Sequence, residues 1–383
     1  MFYVPYFMGF FLYLCRKKIM NPFTLSYDPI YFCDREKEIQ QLKSNAINGL
    51  NTLIHSPRRL GKSALIHHLF HQLEHSKDFE TLYVDLFATQ NLNDFVKYFG
   101  EALLKRYHSK NLLTGVKKLF RGLHASISFS IDGSPQLSLG FGEGQAKTSL
   151  SQLFDYLEQR KKPVLVAFDE FQEVADYPEK AEAVLRTFIQ QLRNVNFIFS
   201  GSSNHILQNM FYSAKQPFYQ SSESILLEKI EIGKYKSFIN NCFETHKKSI
   251  SGDAIDYLLE FTETHTYYTQ VICNQAFYKS GKKLGLPEVQ KIANNYIEIR
   301  KLDYFSIYNL LPENQKRVIK AIAKEGIARK PSSINFMMKH QLPSSSSTLQ
   351  ALHALIDKEI IFQTLDGYKV YDVFFRRFLE RYF

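Results

Sequence analysis

Tryptophan is absent from the 383 residues, and cysteine is scarce. The four cysteines, Cys15, Cys33, Cys242 and Cys273, are spaced too widely and irregularly for a zinc pair or a disulfide framework, so reduced thiols in a cytoplasm are expected. The twelve histidines form no metal pattern, and no nuclease, kinase-substrate or protease constellation stands out. A long hydrophobic run is also missing. Met1 to Cys15 is apolar and aromatic, but a bilayer span needs ~20 such residues. The charges of Arg16, Lys17 and Lys18 follow this stretch instead of preceding it, the wrong order for a signal peptide. The expectation is that residues 1–20 are an N-terminal extension, with 1–19 arising from a start codon upstream of Met20, and that the membrane is not a partner.

What is present suits a globular protein. The hydrophobic fraction is 45%, the charged fraction 22%, and 33 Phe with 23 Tyr supply aromatic bulk for sizeable cores. The length implies two or three units. The net charge of +10 includes three cations from the first twenty residues, and the remaining excess permits nucleic-acid contact without demanding it.

The most informative stretch is His55-Ser56-Pro57-Arg58-Arg59-Leu60-Gly61-Lys62-Ser63. It follows the phosphate-loop spacing G-x-x-x-x-G-K-[ST], except that Ser56 holds the first glycine position. The chemically demanding half is intact: Gly61 admits backbone amides close to a phosphate, Lys62 reaches the terminal phosphates, and Ser63 can ligate magnesium. Thr52-Leu53-Ile54 reads as a buried strand before the loop. Ser63 to Phe70 reads as the helix whose N-terminal amides, including that of Ala64, face the phosphates. His67 and His68 on that helix read as surface residues.

A second element completes the pattern. Pro163-Val164-Leu165-Val166-Ala167-Phe168 runs straight into Asp169-Glu170, which suits a central parallel strand with carboxylates at its ligand-binding end. Asp169 is the candidate for magnesium, directly or through water, and Glu170 for the attacking water. A third strand, Asn196 to Ser200, ends in Gly201-Ser202-Ser203, where Ser202 is the candidate polar contact to water or terminal phosphate; a turn or cap serine is the plain alternative. Thr81 to Leu86 is a fourth strand, with Asp85 read as a structural cap; an acid supporting the site from behind is the alternative. Asp34 to Leu42 reads as a surface helix capped by Asp34 and lying beside the adenine.

These pieces together resemble P-loop ATPases of the AAA+/STAND group, specifically the prokaryotic archaeal-ATPase family. The matching residues are Phe32-Cys33-Asp34-Arg35-Glu36-Lys37-Glu38, the loop Ser56 to Ser63, and Phe168-Asp169-Glu170-Phe171-Gln172. Phe199 to Ser203, Pro217-Phe218-Tyr219 and His265-Thr266-Tyr267-Tyr268-Thr269-Gln270 extend the likeness. The resemblance implies an ATP-binding α/β core with a helical lid, a C-terminal winged-helix-like module, and nucleotide-dependent switching. Two departures stand out. Gln220-Ser221 replaces a Gly-Arg pair common in such proteins, and Thr266 replaces a proline of the lid motif.

The expected organisation is an α/β, AAA+-like three-layer core over 21–230, a helical lid over 231–305 and a winged-helix-like domain over 306–383. Ser126 to Ile131 and Leu137 to Phe141 alternate with period two around Asp132-Gly133, giving a β-hairpin insertion near 125–141 that reads as a packing or partner surface. Lid helices are expected at Lys234 to His246, Asp253 to Thr262, Tyr267 to Tyr278 and Leu286 to Leu302. Three further helices, Gln315 to Lys324, Ser333 to His340 and Ser345 to Lys358, precede a wing built on Asp366-Gly367. Residues 311–383 carry twelve Lys and Arg against seven Asp and Glu. Yet the recognition-helix position offers Ser345, Ser346, Thr348, Gln350 and His353, with no cation before Lys358, so DNA is not favoured over a protein partner or self-association. Arg376, Arg377 and Arg381 are expected to cover an apolar seam of Phe374, Phe375 and Leu379. The function expected is an ATPase using magnesium to change the pose of lid and winged helix; alternatives are a DNA-binding origin-type ATPase and a non-hydrolysing ATP-gated scaffold.

Overall fold

The structure, a computed structural model, describes residues 21–74, 78–107, 125–129, 135–139, 145–279, 281 and 283–383. Cys15, the N-terminal apolar segment and the hairpin turn Asp132-Gly133 lie outside them. The described chain forms two compact units, one of Ser26–Lys229 and one of residues 21–25 with Ile230–Phe383.

The first unit carries strands β1 (Thr52–His55), β2 (Glu80–Asp85), β3 (Ala125–Phe129), β4 (Pro135–Leu139), β5 (Val164–Asp169), β6 (Val195–Gly201) and β7 (Glu223–Leu226). Its helices are α1 (Glu36–Ile47), α2 (Lys62–Leu73), α3 (Leu92–Arg106), α4 (Gln145–Glu158), α5 (Ala181–Ile189) and α6 (Asn204–Tyr212). Five strands make one sheet in the order β2-β5-β6-β1-β7, with every pairing parallel. Such a sheet must be covered on both faces, and the alternation of side chains divides the core accordingly. Leu53, Val166, Phe168, Phe197 and Phe199 join α3, α4 and α5 on one side, whereas Ile54, Leu165, Ala167, Ile198 and Ile225 join α1 and α2 on the other. The result is a three-layer α/β/α core. Phe218 of the Pro-Phe-Tyr motif is fully buried against Phe171, Phe199 and Phe211, which assigns that motif a packing role behind the acid strand.

β3 and β4 pair antiparallel, Ala125 opposite Leu139 and Phe129 opposite Pro135. α1 departs from expectation at its start. The cap position is Arg35, not Asp34, because both residues hold left-handed backbone (φ 80 and 63), while a capping side chain needs extended geometry. The buried Arg35 instead donates to Glu38 Oε1 at 3.1 Å and to the Glu228 carbonyl at 2.7 Å.

The second unit is helical: α7 (Ile232–Thr245), α8 (Gly252–Phe261), α9 (Thr266–Lys279), α10 (Leu286–Ile299), α11 (Lys301–Asn309), α12 (Glu313–Glu325), α13 (Ile334–His340), α14 (Ser345–Asp357) and α15 (Val373–Tyr382). β8 (Ser249–Ile250) pairs parallel with β9 (Lys283–Leu284), and β10 (Ile361–Thr364) pairs with β11 (Gly367–Val370) as the wing. Residues 21–25 belong here because Phe23 is fully buried among Phe238, Phe243 and Phe277. The single helix expected to reach Leu302 is two, joined at Arg300.

Lid and winged helix pack into this one unit. Phe374 of α15 meets Phe261, Tyr268 and Tyr296, and Arg377 donates to the Phe261 and Glu260 carbonyls at 3.1 and 3.0 Å, closing the C-terminal end of α8. Glu263 takes ion pairs from Lys369 and Arg376, each at 2.9 Å. Arg381 pairs with Glu298. Thr348, expected on the exposed face of α14, is buried, and Leu349 is exposed instead.

Candidate active site

The register of the parallel sheet decides where chemistry can gather. His55 at the end of β1 stands opposite Gly201 at the end of β6, and Asp85 of β2 opposite Asp169 of β5, so these carboxyl ends form one rim. Ligands of open α/β sheets sit at that rim, where strand order reverses.

From His55 the chain turns through Ser56–Gly61 into α2. Gly61 has φ +102 with open space around the position of a Cβ, so glycine is needed for its backbone conformation. α2 is a helix because Leu65, Ile66, Leu69, Phe70 and Leu73 repeat at the spacing of one buried face. Its first amides, those of Lys62, Ser63 and Ala64, have no acceptor within the helix, which makes this end a seat for anions. Arg58 is half-buried and Arg59 exposed at φ 61, while Leu60 packs into the core below.

Lys62 is only 6% exposed. Its ammonium donates to Ser56 O and Ser56 Oγ at 3.3 Å and to Pro57 O at 3.4 Å. Ser56 thus does more than fill the glycine position: its hydroxyl accepts from the lysine and donates to the Pro57 carbonyl at 2.9 Å. Burial pushes the Lys62 ammonium below its ordinary pKa, against the opposing pull of Glu170 and Asp169.

Asp169, 3% exposed, is surrounded by donors. Its Oδ2 accepts from Ser63 Oγ at 2.5 Å and from Tyr83 Oη at 2.6 Å. Oδ1 accepts from Ser200 Oγ and from the Glu170 amide at 3.1 Å. Burial, with the Asp169 charge, holds the Tyr83 phenol far above its ordinary pKa, so it remains a donor. His67 packs tilted against the Tyr83 ring at 4.3 Å between centroids, and burial lowers its pKa. His68 stacks on Phe32 at 3.9 Å. Neither histidine is the plain surface residue expected, because α2 presents them to aromatic rings of neighbouring segments.

Glu170 follows in left-handed backbone (φ 54) and heads the 3-10 turn Phe171–Asp176. Its Oε2 accepts from Gln172 Nε2 at 2.6 Å and from the Ser202 amide at 3.0 Å. Ser202 therefore meets Glu170 through its backbone, and the hydroxyl that this strand brings to the acid pair is that of Ser200. Asp85 accepts from the Phe87 amide at 2.9 Å, a turn-closing contact; burial foremost, with Asp169 and Glu170 adding to it, raises its pKa. Tyr83, Ser200 and Gln172 were without assigned roles in the sequence. Tyr83 lies 86 residues from Asp169 and Ser200 lies 31, and only sheet register joins them.

The donor set suits a magnesium nucleotide. Hydroxyl and carboxylate oxygens are the hard ligands magnesium takes, and the buried ammonium rests on neutral acceptors alone among its hydrogen-bond partners. No group of three or more His, Cys, Asp or Glu able to hold a metal occurs among the described residues. A metal here would share its coordination with phosphate oxygens, as magnesium does in phosphoryl-transfer sites.

Residues 32–269 match the family described as "ATPase domain predominantly from Archaea". The chain belongs to this ATPase family. Residues 302–381 of the ATPase also match a "Probable winged helix domain". Solved structures agree on the fold. A Walker-type ATPase of Pyrococcus abyssi superposes with TM-score 0.64 at 16% identity, over 94% of this chain and 99% of that one. The ORC2 protein of Aeropyrum pernix, solved in ADPNP-ADP complexes, gives 0.60 at 12% over 95% and 98%. Its ORC1 protein, solved with DNA, gives 0.50 at 12% over 94% and 96%. No curated protein gives a sequence match. No helix among the described residues is long and apolar enough to cross a membrane.

Proposed function

We propose that the ATPase hydrolyses ATP with magnesium. Ser56, Pro57, Arg58, Arg59, Leu60, Gly61, Lys62, Ser63 and Ala64 cradle the triphosphate, Ser63 and Asp169 serve the metal, and Glu170 is the base. The observation that carries this reading is the contact of Ser63 Oγ with Asp169 Oδ2 at 2.5 Å, because it joins the phosphate loop to the acid strand with Glu170 next in sequence. When bound, magnesium neutralises charge on the phosphoryl oxygens. Lys62 adds positive charge beside them, having exchanged its loop acceptors for phosphate oxygens. Glu170 orients the water and receives its proton, while the Ser202 amide holds the carboxylate.

Nucleotide state then sets the position of the second unit as one body, since α15 is fastened to α8 and α10. The partner reading favours a protein or a second copy. The exposed side of α14 offers Ser345, Ser346, Leu349, Gln350 and His353 without a cation, and the wing tip presents Leu365 and Asp366. The ORC-like fold keeps DNA as the second reading, and fluorescence anisotropy across a salt series separates the two, because phosphate contacts give a steep loss of affinity with salt.

The test is Glu170→Gln. Binding of a fluorescent ATP analogue with magnesium should persist while the hydrolysis rate falls by about 100-fold or more. An unchanged rate would remove Glu170 from the mechanism. A wild-type protein that binds ATP without turnover would favour the gated scaffold.

A further inference from the structure

Gln172 stands two residues beyond the acid pair, and its surroundings are unusual for a glutamine. It is 4% exposed. The amide group is oriented by its neighbours, since carboxylates only accept: Nε2 donates to Glu170 Oε2 at 2.6 Å and to Glu173 Oε1 at 3.1 Å. Its Oε1 is buried without a hydrogen-bond partner among the described residues. That arrangement is poor for stability, because a buried unpaired acceptor forfeits its hydration. The side chain is held there by space. A Cβ on Gly201 would lie 1.9 Å from Gln172 Oε1, and Gly201 shows no positive φ, so its hydrogen makes room for the glutamine instead of relieving the backbone.

Glu170 is consequently fixed on one oxygen only. Both donors, Gln172 Nε2 and the Ser202 amide, meet Oε2, and Oε1 takes no hydrogen bond among the described residues. Both donors are neutral, so they restrict geometry without placing a cation beside the carboxylate. The left-handed backbone of Glu170 gives its side chain a direction that the two donors then lock.

We propose that Gln172 is a positioning residue for Glu170, holding Oε2 so that Oε1 faces the attacking water, and that Gly201 is glycine because any larger residue would evict the Gln172 amide. The proposal rests on the reading of Glu170 as base, and the test keeps the two apart.

Gln172→Met and Gln172→Leu keep an unbranched or similar volume but donate nothing. Each should lower kcat by about 10–100-fold while KM and the affinity for fluorescent ATP with magnesium stay within about twofold, since misplacing a reacting group by ~1 Å costs on that scale. Gly201→Ala should produce the same split. The Gln172→Ala/Gly201→Ala pair should be no slower than Gln172→Ala alone, because the shortened side chain removes the clash. Wild-type or raised kcat in both glutamine variants, with Glu170→Gln binding ATP but inactive, overturns the proposal. Additive losses in the double variant overturn the Gly201 part. Full activity of Glu170→Gln overturns the base reading itself, and the positioning role with it. Thermal melting identifies a variant that fails to fold, and the remaining glutamine variant then decides.

Discussion

Ser56 and Lys62 show how one residue's function can oppose its stability. A lysine 6% exposed, resting on Ser56 and Pro57 oxygens, has lost water without gaining a hydrogen-bonded counter-charge, which is useful only when a phosphate arrives. Lys62→Met should therefore abolish magnesium-ATP binding in a fluorescence titration and yet raise the denaturant midpoint of the nucleotide-free protein. A lowered midpoint would mean that the three loop contacts outweigh the desolvation. Tyr83→Phe acts in the opposite sense. It leaves a lone pair of the buried Asp169 unanswered, so urea unfolding should show a loss of about 1–3 kcal/mol. Lys62, Ser63, Asp169 and Glu170 were legible because local spacing carries their chemistry. Tyr83 and Ser200 were not, because their proximity to Asp169 is a property of strand order. Ser202 was legible as a position but not as a backbone donor, since side-chain identity says nothing about which amide will point at Glu170.

Among elements, β2 is an edge strand of the sheet and is anchored at its first residue. Glu80 accepts from Arg160 Nε and Nη2, both at 3.0 Å, and from Tyr107 Oη at 2.6 Å. Burial pushes the Glu80 carboxyl upward, but the Arg160 and Tyr107 hydrogen bonds outweigh it and leave the pKa below its ordinary 4.5. A carboxylate with a depressed folded pKa binds fewer protons folded than unfolded, so its stabilisation is present above pH 4.5 and is lost as pH falls through the folded value. Glu80→Gln should cost stability at neutral pH and flatten the acid limb of a urea-midpoint profile. An unchanged acid limb would show that the anchor is not electrostatic. The strands of the sheet were legible from unbroken apolar runs, as in Val164 to Phe168. Boundaries were less so: the periodicity of α10 continues past Arg300 into α11, and two left-handed residues at 34 and 35 moved the start of α1 by a mechanism that composition does not show.

For the whole molecule, the consequential finding is that lid and winged helix belong to one compact unit, Ile230–Phe383 with residues 21–25. Motif and composition placed a boundary near 305, because the two modules have different patterns; α15 bridges the two modules through contacts spanning more than a hundred residues. Glu263 is the electrostatic centre of that join, pairing with Lys369 and Arg376 while all three side chains are at most one-fifth exposed. Removing Glu263 leaves Lys369 partly desolvated without this carboxylate and Arg376 with Glu380 alone, a larger penalty than losing an exposed pair. Glu263→Ala should destabilise the second unit by about 2–4 kcal/mol, reduced from the fully buried case by the remaining solvent access. Calorimetry should then show its transition moving down with the core transition unmoved. If lid and winged helix were independent, the wild type would already show two transitions for this unit. The same rigidity bears on switching. A distance between spin labels at positions 253 and 366, both on exposed sites of the second unit, should be unchanged by magnesium-ATP in the wild type. In Glu263→Ala it should broaden, because the winged helix then moves apart from the helices that it normally accompanies.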